Sequence, residues 1–242
     1  MEDVPDRALG WRLPRAHTYA QAHYRPLGYV LPFDPAQVRD RATLRAELGY
    51  GQGALIVCSI GGTRIAKGLL ELCGQAYPIL RESLPDLRMV LVCGPRLSPD
   101  ELHVPPGPEI RGYVSELYRH LAAADLAIVH GGGSITLELT ALRTPFLFFP
   151  VEGHSEQEVS VAGRIARHGA GVRMAYSQTT PQTVADAARA RIGQEVTYAP
   201  IRTDGARVAA ELIVARLPYT PAATAPTVAH GPRGALPRGQ RG

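Results

Sequence analysis

Cysteine is scarce in this sequence: Cys58, Cys73 and Cys93 are the only three, and they form neither a CxxC pair nor a metal-ligand spacing. That argues against a disulfide framework and a thiolate metal site. Cys58 and Cys93 instead end or interrupt apolar runs (ALIVCSI and MVLVCG), where a free cysteine acts as a small buried hydrophobe. Long apolar runs are missing as well. The most apolar short segment, PFLFFPV at 145–151, falls far below the roughly 18 residues that a membrane span requires. The opening residues, MEDVPDRALG, contain no basic leader and no apolar stretch, so no signal peptide is read there.

Charge of one sign is also modest. Lysines and arginines number 26 against 22 acids, a formal net charge of +4, and Arg233, Arg238 and Arg241 lie in a segment from 219 to 242 that holds no acid. Without that segment the balance is +1. A nucleic-acid-binding protein spreads basic side chains over a folded face, and no such partner is expected. Nor is a DxD-like acid pair present, and Glu71, Glu101 and Asp125 form no two-carboxylate pattern, so nothing supports the usual glycoside hydrolase arrangement. The expectation is a soluble, cytoplasmic protein with no bound metal and with weak or absent membrane association.

What is present is alternation. From residue 50 to 217 short apolar runs (54–60, 87–93, 110–114, 126–129, 146–149) are separated by stretches of helical period (67–83, 115–124, 134–142, then from about 156, 181 and 203). Pro78 falls inside the first of these helices and predicts a kink or restart; Ser115 is a candidate N-cap for the second. Strands apolar on both faces and separated by helices predict an α/β domain, a Rossmann-like parallel sheet with helices on both faces. Upstream, Asp34-Pro35 offers a cap and first-turn proline for a helix reaching Leu48. Residues 1–49 read as a separate leader, and 218–242, rich in proline and glycine, as a disordered tail.

In such a sheet the ligand lies beyond the carboxyl ends of the strands. Two glycine-rich loops follow strands directly, Gly61-Gly62-Thr63 and Gly131-Gly132-Gly133. The second continues from His130 through Ser134, Ile135, Thr136 and Leu137 to Glu138. Glycines admit a ligand close to the backbone, and the helix that follows presents unpaired N–H groups and positive dipole to an anion. Ser134 and Thr136 add hydroxyls in the first turn, and Glu138 lies about one turn further on, within reach of a ribose. Competing motifs fail. An HGGG oxyanion loop needs a G-x-S-x-G elbow, whereas the nearest segment is Gly153-His154-Ser155-Glu156-Gln157; a P-loop needs GxxxxGK[ST], whereas 62–68 reads GTRIAKG.

The longer pattern of His130, Glu138, Pro145, Pro150 and the pair Glu156-Gln157 resembles the signature of GT-B glycosyltransferases that use nucleotide sugars, most of all family 28 and the UDP-glucuronosyl and glucosyl transferases. The resemblance covers residues 50–217 and implies the donor-binding half of that fold. It implies that His130 and the loop through Ser134 contact a diphosphate and that Glu138 binds the ribose. It further implies that Glu156 and Gln157 hold sugar hydroxyls, with His154 beside them. Arg111-Gly112-Tyr113-Val114 matches the segment that recognises uracil, with Val114 as the contact, and Gly61-Gly62-Thr63 matches the first phosphate-facing loop. Two departures stand out: Ile135 occupies a place where threonine is common, and Val159-Ser160-Val161 replace an asparagine. The implied activity is inverting, metal-independent transfer of a hexose-type sugar from a UDP-sugar, with no other cofactor. The implied partner is an acceptor domain, of which residues 1–49 would be a remnant together with the interdomain linker, and which a separate chain would supply. No general base is assigned. A non-catalytic nucleotide-sugar-binding module, or a truncated remnant, is the alternative.

Overall fold

A computed structural model describes residues 16–38, 40–62 and 64–217. The expected tail at 218–242, the first fifteen residues of the leader and Thr63 lie outside the described residues.

The strands form where the sequence is apolar on both faces. β1 (Leu55–Ser59), β2 (Arg88–Val92), β3 (Glu109–Arg111), β4 (Leu126–His130), β5 (Phe146–Phe149) and β6 (Val172–Arg173) make one sheet in the order β3-β2-β1-β4-β5-β6. Every neighbouring pair is parallel. Alternate residues feed two separate cores. Ile56, Cys58, Met89, Leu91, Leu126, Ile128, Leu147 and Phe149 pack against α3 (Lys67–Ser83) and α7 (Pro181–Arg189). Leu55, Val57, Val90, Val92, Ala127, Val129, Phe146 and Phe148 face the opposite way. That side is covered by α2 (Arg41–Glu47), α4 (Leu117–Ala123), α5 (Gly133–Leu142) and α6 (Ala162–Arg167). The period of two within continuous apolar runs is what a sheet buried on both faces requires. Two further helices, α1 (Ala16–His23) and α8 (Gly205–Val214), lie upstream and downstream of the sheet in the chain.

Four local differences from the sequence reading have physical causes. The helix expected from Asp34 to Leu48 is split. Asp34 Oδ1 accepts the Ala36 N–H at 2.9 Å and starts only a 3₁₀ turn, Pro35–Val38. Asp40 Oδ1 then takes the N–H groups of Ala42 and Thr43 at 3.1 Å each and caps α2. Second, Pro78 leaves α3 continuous over 17 residues, because buried Leu70, Cys73, Ala76 and Leu80 keep both halves on one apolar face. Third, the N-cap position of α4 belongs to Glu116, in the left-handed region at φ 50°, and not to Ser115. Fourth, Leu44 and Arg45 are buried beside Tyr50, so packing extends the body upstream of residue 50.

The strand order reverses direction at β1, which has β2 on one side and β4 on the other. Connections leaving β1 and β4 diverge to opposite faces there and open a crevice at the carboxyl ends of the strands.

Candidate functional site

The crevice is built from β4 outward. Its last residue, His130, passes into Gly131, whose N–H donates to Phe149 O at 2.7 Å, and Gly132, whose N–H donates to His130 O at 2.7 Å. Gly131 must be glycine: a Cβ there would stand 2.6 Å from Pro150 Cα, a backbone atom with nowhere to move. Gly132 is the N-cap of α5, with extended backbone (φ −66°, ψ 142°), so the first N–H groups of the helix, at Gly133 and Ser134, point out of the crevice floor. Facing this turn, Gly61 adopts φ 68° after β1, and its N–H donates to Ser59 Oγ at 3.2 Å. Gly94, after β2, presses so closely on the Gly61 carbonyl that a Cβ would be 2.1 Å away.

A cavity of about 570 Å³ occupies this edge of the sheet. Gly61, Gly62, Val114, Ser134, Ile135 and Glu138 line it together with Glu116 and Tyr118. Five of the residues implied by the family resemblance, Gly61, Gly62, Val114, Ser134 and Glu138, therefore meet in one place, although they come from the ends of β1 and β3 and from α5. Ser134 is exposed at the mouth, and Glu138 is half-buried one turn deeper. Burial pushes the Glu138 carboxyl up to about 7. Left-handed Glu116 accepts the Tyr118 hydroxyl at 2.7 Å on the cavity rim.

His130 does not share that cavity. Along β4 it falls on the same, α3-facing side as Leu126 and Ile128, and it lines a smaller pocket of about 210 Å³ with Ile65, Phe149, Pro150, Val151 and Tyr176. It is 7% exposed, and its Nε2 has no hydrogen-bond partner among the described residues. Burial first, and the neighbouring His154 second, lower its pKa, so the ring is neutral at pH 7.

Thr136 requires a correction. It is fully buried, and its hydroxyl donates back to Gly132 O at 2.9 Å, with Gly133 O at 3.3 Å. A threonine hydroxyl inside a helix bonds the preceding turn when no other acceptor is near, so it offers nothing to a ligand. Gln157 is also buried, and its Oε1 accepts the Val151 N–H at 2.9 Å, pinning the chain where it leaves β5. Glu156 and His154 stay exposed, with His154 Nδ1 3.7 Å from Glu156 Oε2. The Glu156 carboxylate nonetheless reaches the glycine turn, 3.5 Å from where a Gly133 Cβ would be.

Two contributors were not read from the sequence. Arg164, on α6, donates from Nη2 to Gly133 O at 2.6 Å, and its guanidinium lies 5.7 Å from the Tyr29 ring centroid. Neither residue belongs to a motif, and their meeting depends on how a π-helical turn, Glu156–Val161, hands the chain to α6.

Residues 56–201 match the sequence profile of the glycosyltransferase family 28 C-terminal domain. An uncharacterized glycosyltransferase of Methanosarcina acetivorans is 35% identical over 129 residues, covering 50% of this chain and 34% of that protein. The UDP-N-acetylglucosamine--N-acetylmuramyl-(pentapeptide) pyrophosphoryl-undecaprenol N-acetylglucosamine transferase of Clavibacter michiganensis is 32% identical over 235 residues, 90% of this chain and 60% of that one. The chain thus spans only part of these curated relatives. Among solved structures, WaaG, a glycosyltransferase involved in lipopolysaccharide biosynthesis, has the same fold, with a TM-score of 0.52 at 21% identity over 72% of this chain and 50% of WaaG. Among the described residues no helix is long and apolar enough to cross a membrane.

Proposed function

The chain belongs to the glycosyltransferase family 28 C-terminal domain family, and from that premise we propose that it is the donor-binding half of a glycosyltransferase that takes a UDP-sugar. The observation that carries this reading is the single cavity joining Val114, Glu138 and Ser134 at the mouth of α5. In this reading the base lies against the backbone at Val114, and the Glu138 carboxylate accepts hydrogen bonds from the ribose. The diphosphate rests on the N–H groups of Gly133 and Ser134, with Gly61 and Gly62 opposite, and the sugar extends toward Glu156. As the glycosidic bond breaks, negative charge grows on the leaving diphosphate. The α5 N-terminus, oriented before the reaction begins, stabilises that charge more than it stabilises the intact donor.

Calorimetry of the 242-residue chain with UDP, ADP, GDP and CDP tests the assignment. UDP is expected to bind tightest, and Glu138→Ala is expected to weaken it by about 1.5–3 kcal/mol, the usual worth of hydrogen bonds to a charged group. Equal affinity for all four nucleotides would remove the base from Val114.

A further inference from the structure

Two opposite charges approach Gly133. The exposed Glu156 carboxylate lies 3.5 Å from its Cβ position, and Nη2 of half-buried Arg164 lies 3.8 Å from it. A carboxylate this close to the turn repels an anion seated on the α5 N-terminus, and a guanidinium behind the same residue offsets that repulsion. The guanidinium is also held in place. Its Nη2 donates to the Gly133 carbonyl at 2.6 Å and lies 3.5 Å from Thr136 Oγ1, while the Tyr29 ring centroid is 5.7 Å from the guanidinium carbon. Tyr29 in turn is fixed by its backbone: its N–H donates to Arg202 O at 2.8 Å, and its carbonyl accepts the Gly205 N–H at 3.1 Å. The His168 ring packs edge-on at 6.3 Å. A fixed cation beside a helix N-terminus adds to the field that an anion feels there and costs no reorganisation when the anion arrives.

We propose that Arg164 is a positioning residue for the donor diphosphate, holding the Gly133 turn from behind and cancelling the charge of Glu156. The proposal rests on the donor-binding reading above, and it adds that recognition of the diphosphate depends on a side chain outside the cavity. It also makes Tyr29 the support that couples the chain segments at 28–29 and 202–205 to the anion-binding turn.

The test compares UDP, UMP and uridine by calorimetry on the wild-type chain and on Arg164→Gln, Arg164→Lys and Tyr29→Leu, with melting curves to establish folding. Arg164→Gln should weaken UDP about tenfold while uridine changes less than twofold, so that the UDP-to-uridine ratio collapses. Arg164→Lys, which keeps the charge and loses the planar fork, should recover part of the ratio. Should Arg164→Gln fail to fold, Tyr29→Leu reads the same quantity: a selective loss for UDP of about threefold is expected. A folded variant whose ratio equals the wild-type ratio overturns the proposal alone. A wild-type chain that binds no UDP overturns the donor-binding reading, and this proposal with it.

Discussion

Glu138 is pulled in two directions. Half-buried in the cavity, its carboxyl holds a proton up to about pH 7, against an ordinary value of 4.5 in the unfolded chain. Between those values the folded state binds more protons than the unfolded state, so ionising Glu138 makes stability fall as pH rises from about 4.5 to 7. Binding a ribose asks for the ionised form. Glu138→Gln is therefore expected to stabilise the unliganded chain at pH 8 by about 1–2 kcal/mol, a figure reduced for the partial exposure of the side chain. It should also flatten the pH dependence of melting between 5 and 7, and weaken UDP. In the wild type, UDP affinity should strengthen from pH 6 to pH 8. Melting curves and calorimetry across that range check both, and a Glu138→Gln variant less stable than wild type at pH 8 would contradict the argument. Sequence reading chose Glu138 as a candidate from its spacing to His130. The same reading chose Thr136 for its hydroxyl, yet a sequence does not disclose that the hydroxyl turns back to Gly132. Nor does it disclose that the last side chain of β4 faces the α3 side of the sheet, which sends His130 into a different pocket. Residue type is visible in a sequence; side-chain direction is decided by strand alternation and packing.

At the level of elements, the strands were legible because burial on both faces writes an unbroken apolar run, and β1, β2, β4 and β5 appear within a residue or so of their expected ends. β6, with two residues, has no pattern to read. The π-helical turn at Glu156–Val161 is equally invisible, because one extra residue in a turn changes geometry without changing composition. Helix starts depend on which side chain captures the first N–H groups, and Asp40 won over Asp34 for α2. The glycine turn before α5 was legible as a motif, but its three glycines are not equivalent. A methyl group at Gly131 meets Pro150 Cα at 2.6 Å and Pro150 N at 2.9 Å, both backbone atoms. At Gly132 the nearest atom is Ile135 Cγ2 at 3.7 Å, an ordinary contact, and φ is −66°. Gly131→Ala is thus expected to cost about 2–3 kcal/mol in denaturant unfolding and to abolish UDP binding, because β5 and the turn must separate. Gly132→Ala should cost no more than about 1 kcal/mol, the difference between glycine and alanine at a helix N-cap. The reverse order of effects would mean that Gly132, not Gly131, is the crowded position.

Across the whole molecule, the two edges of the sheet have different work. The carboxyl edge carries the cavity, and the amino edge carries a charge cluster that ties α2 to the strands. Asp125, just before β4, accepts from Arg45 Nη2 at 2.5 Å, from Arg41 Nη1 at 3.2 Å and from the Leu55 N–H at 2.8 Å. Arg45 also donates from Nε to Ala123 O at 2.9 Å, and it is 7% exposed. Removing one partner of a buried pair leaves the other charge uncompensated, which costs far more than the intact pair contributes. Asp125→Ala should therefore destabilise the chain by about 3 kcal/mol or more, through the buried charge of Arg45 and the lost acceptor at Leu55. Replacing both partners, as in Arg45→Met with Asp125→Ala, should restore much of that loss, since the guanidinium that remains is that of Arg41, whose side chain is 41% exposed to solvent. Strands of four or five residues at about 3.3 Å each keep the cluster roughly 15 Å from the cavity. That exceeds the screening length of about 8–10 Å at ordinary ionic strength. The folded fraction of Asp125→Ala should consequently bind UDP within twofold of wild type, measured below its melting temperature. A large fall in affinity without unfolding would show that the α2 anchor shapes the cavity across the full length of the strands, which would join the two edges into one functional unit.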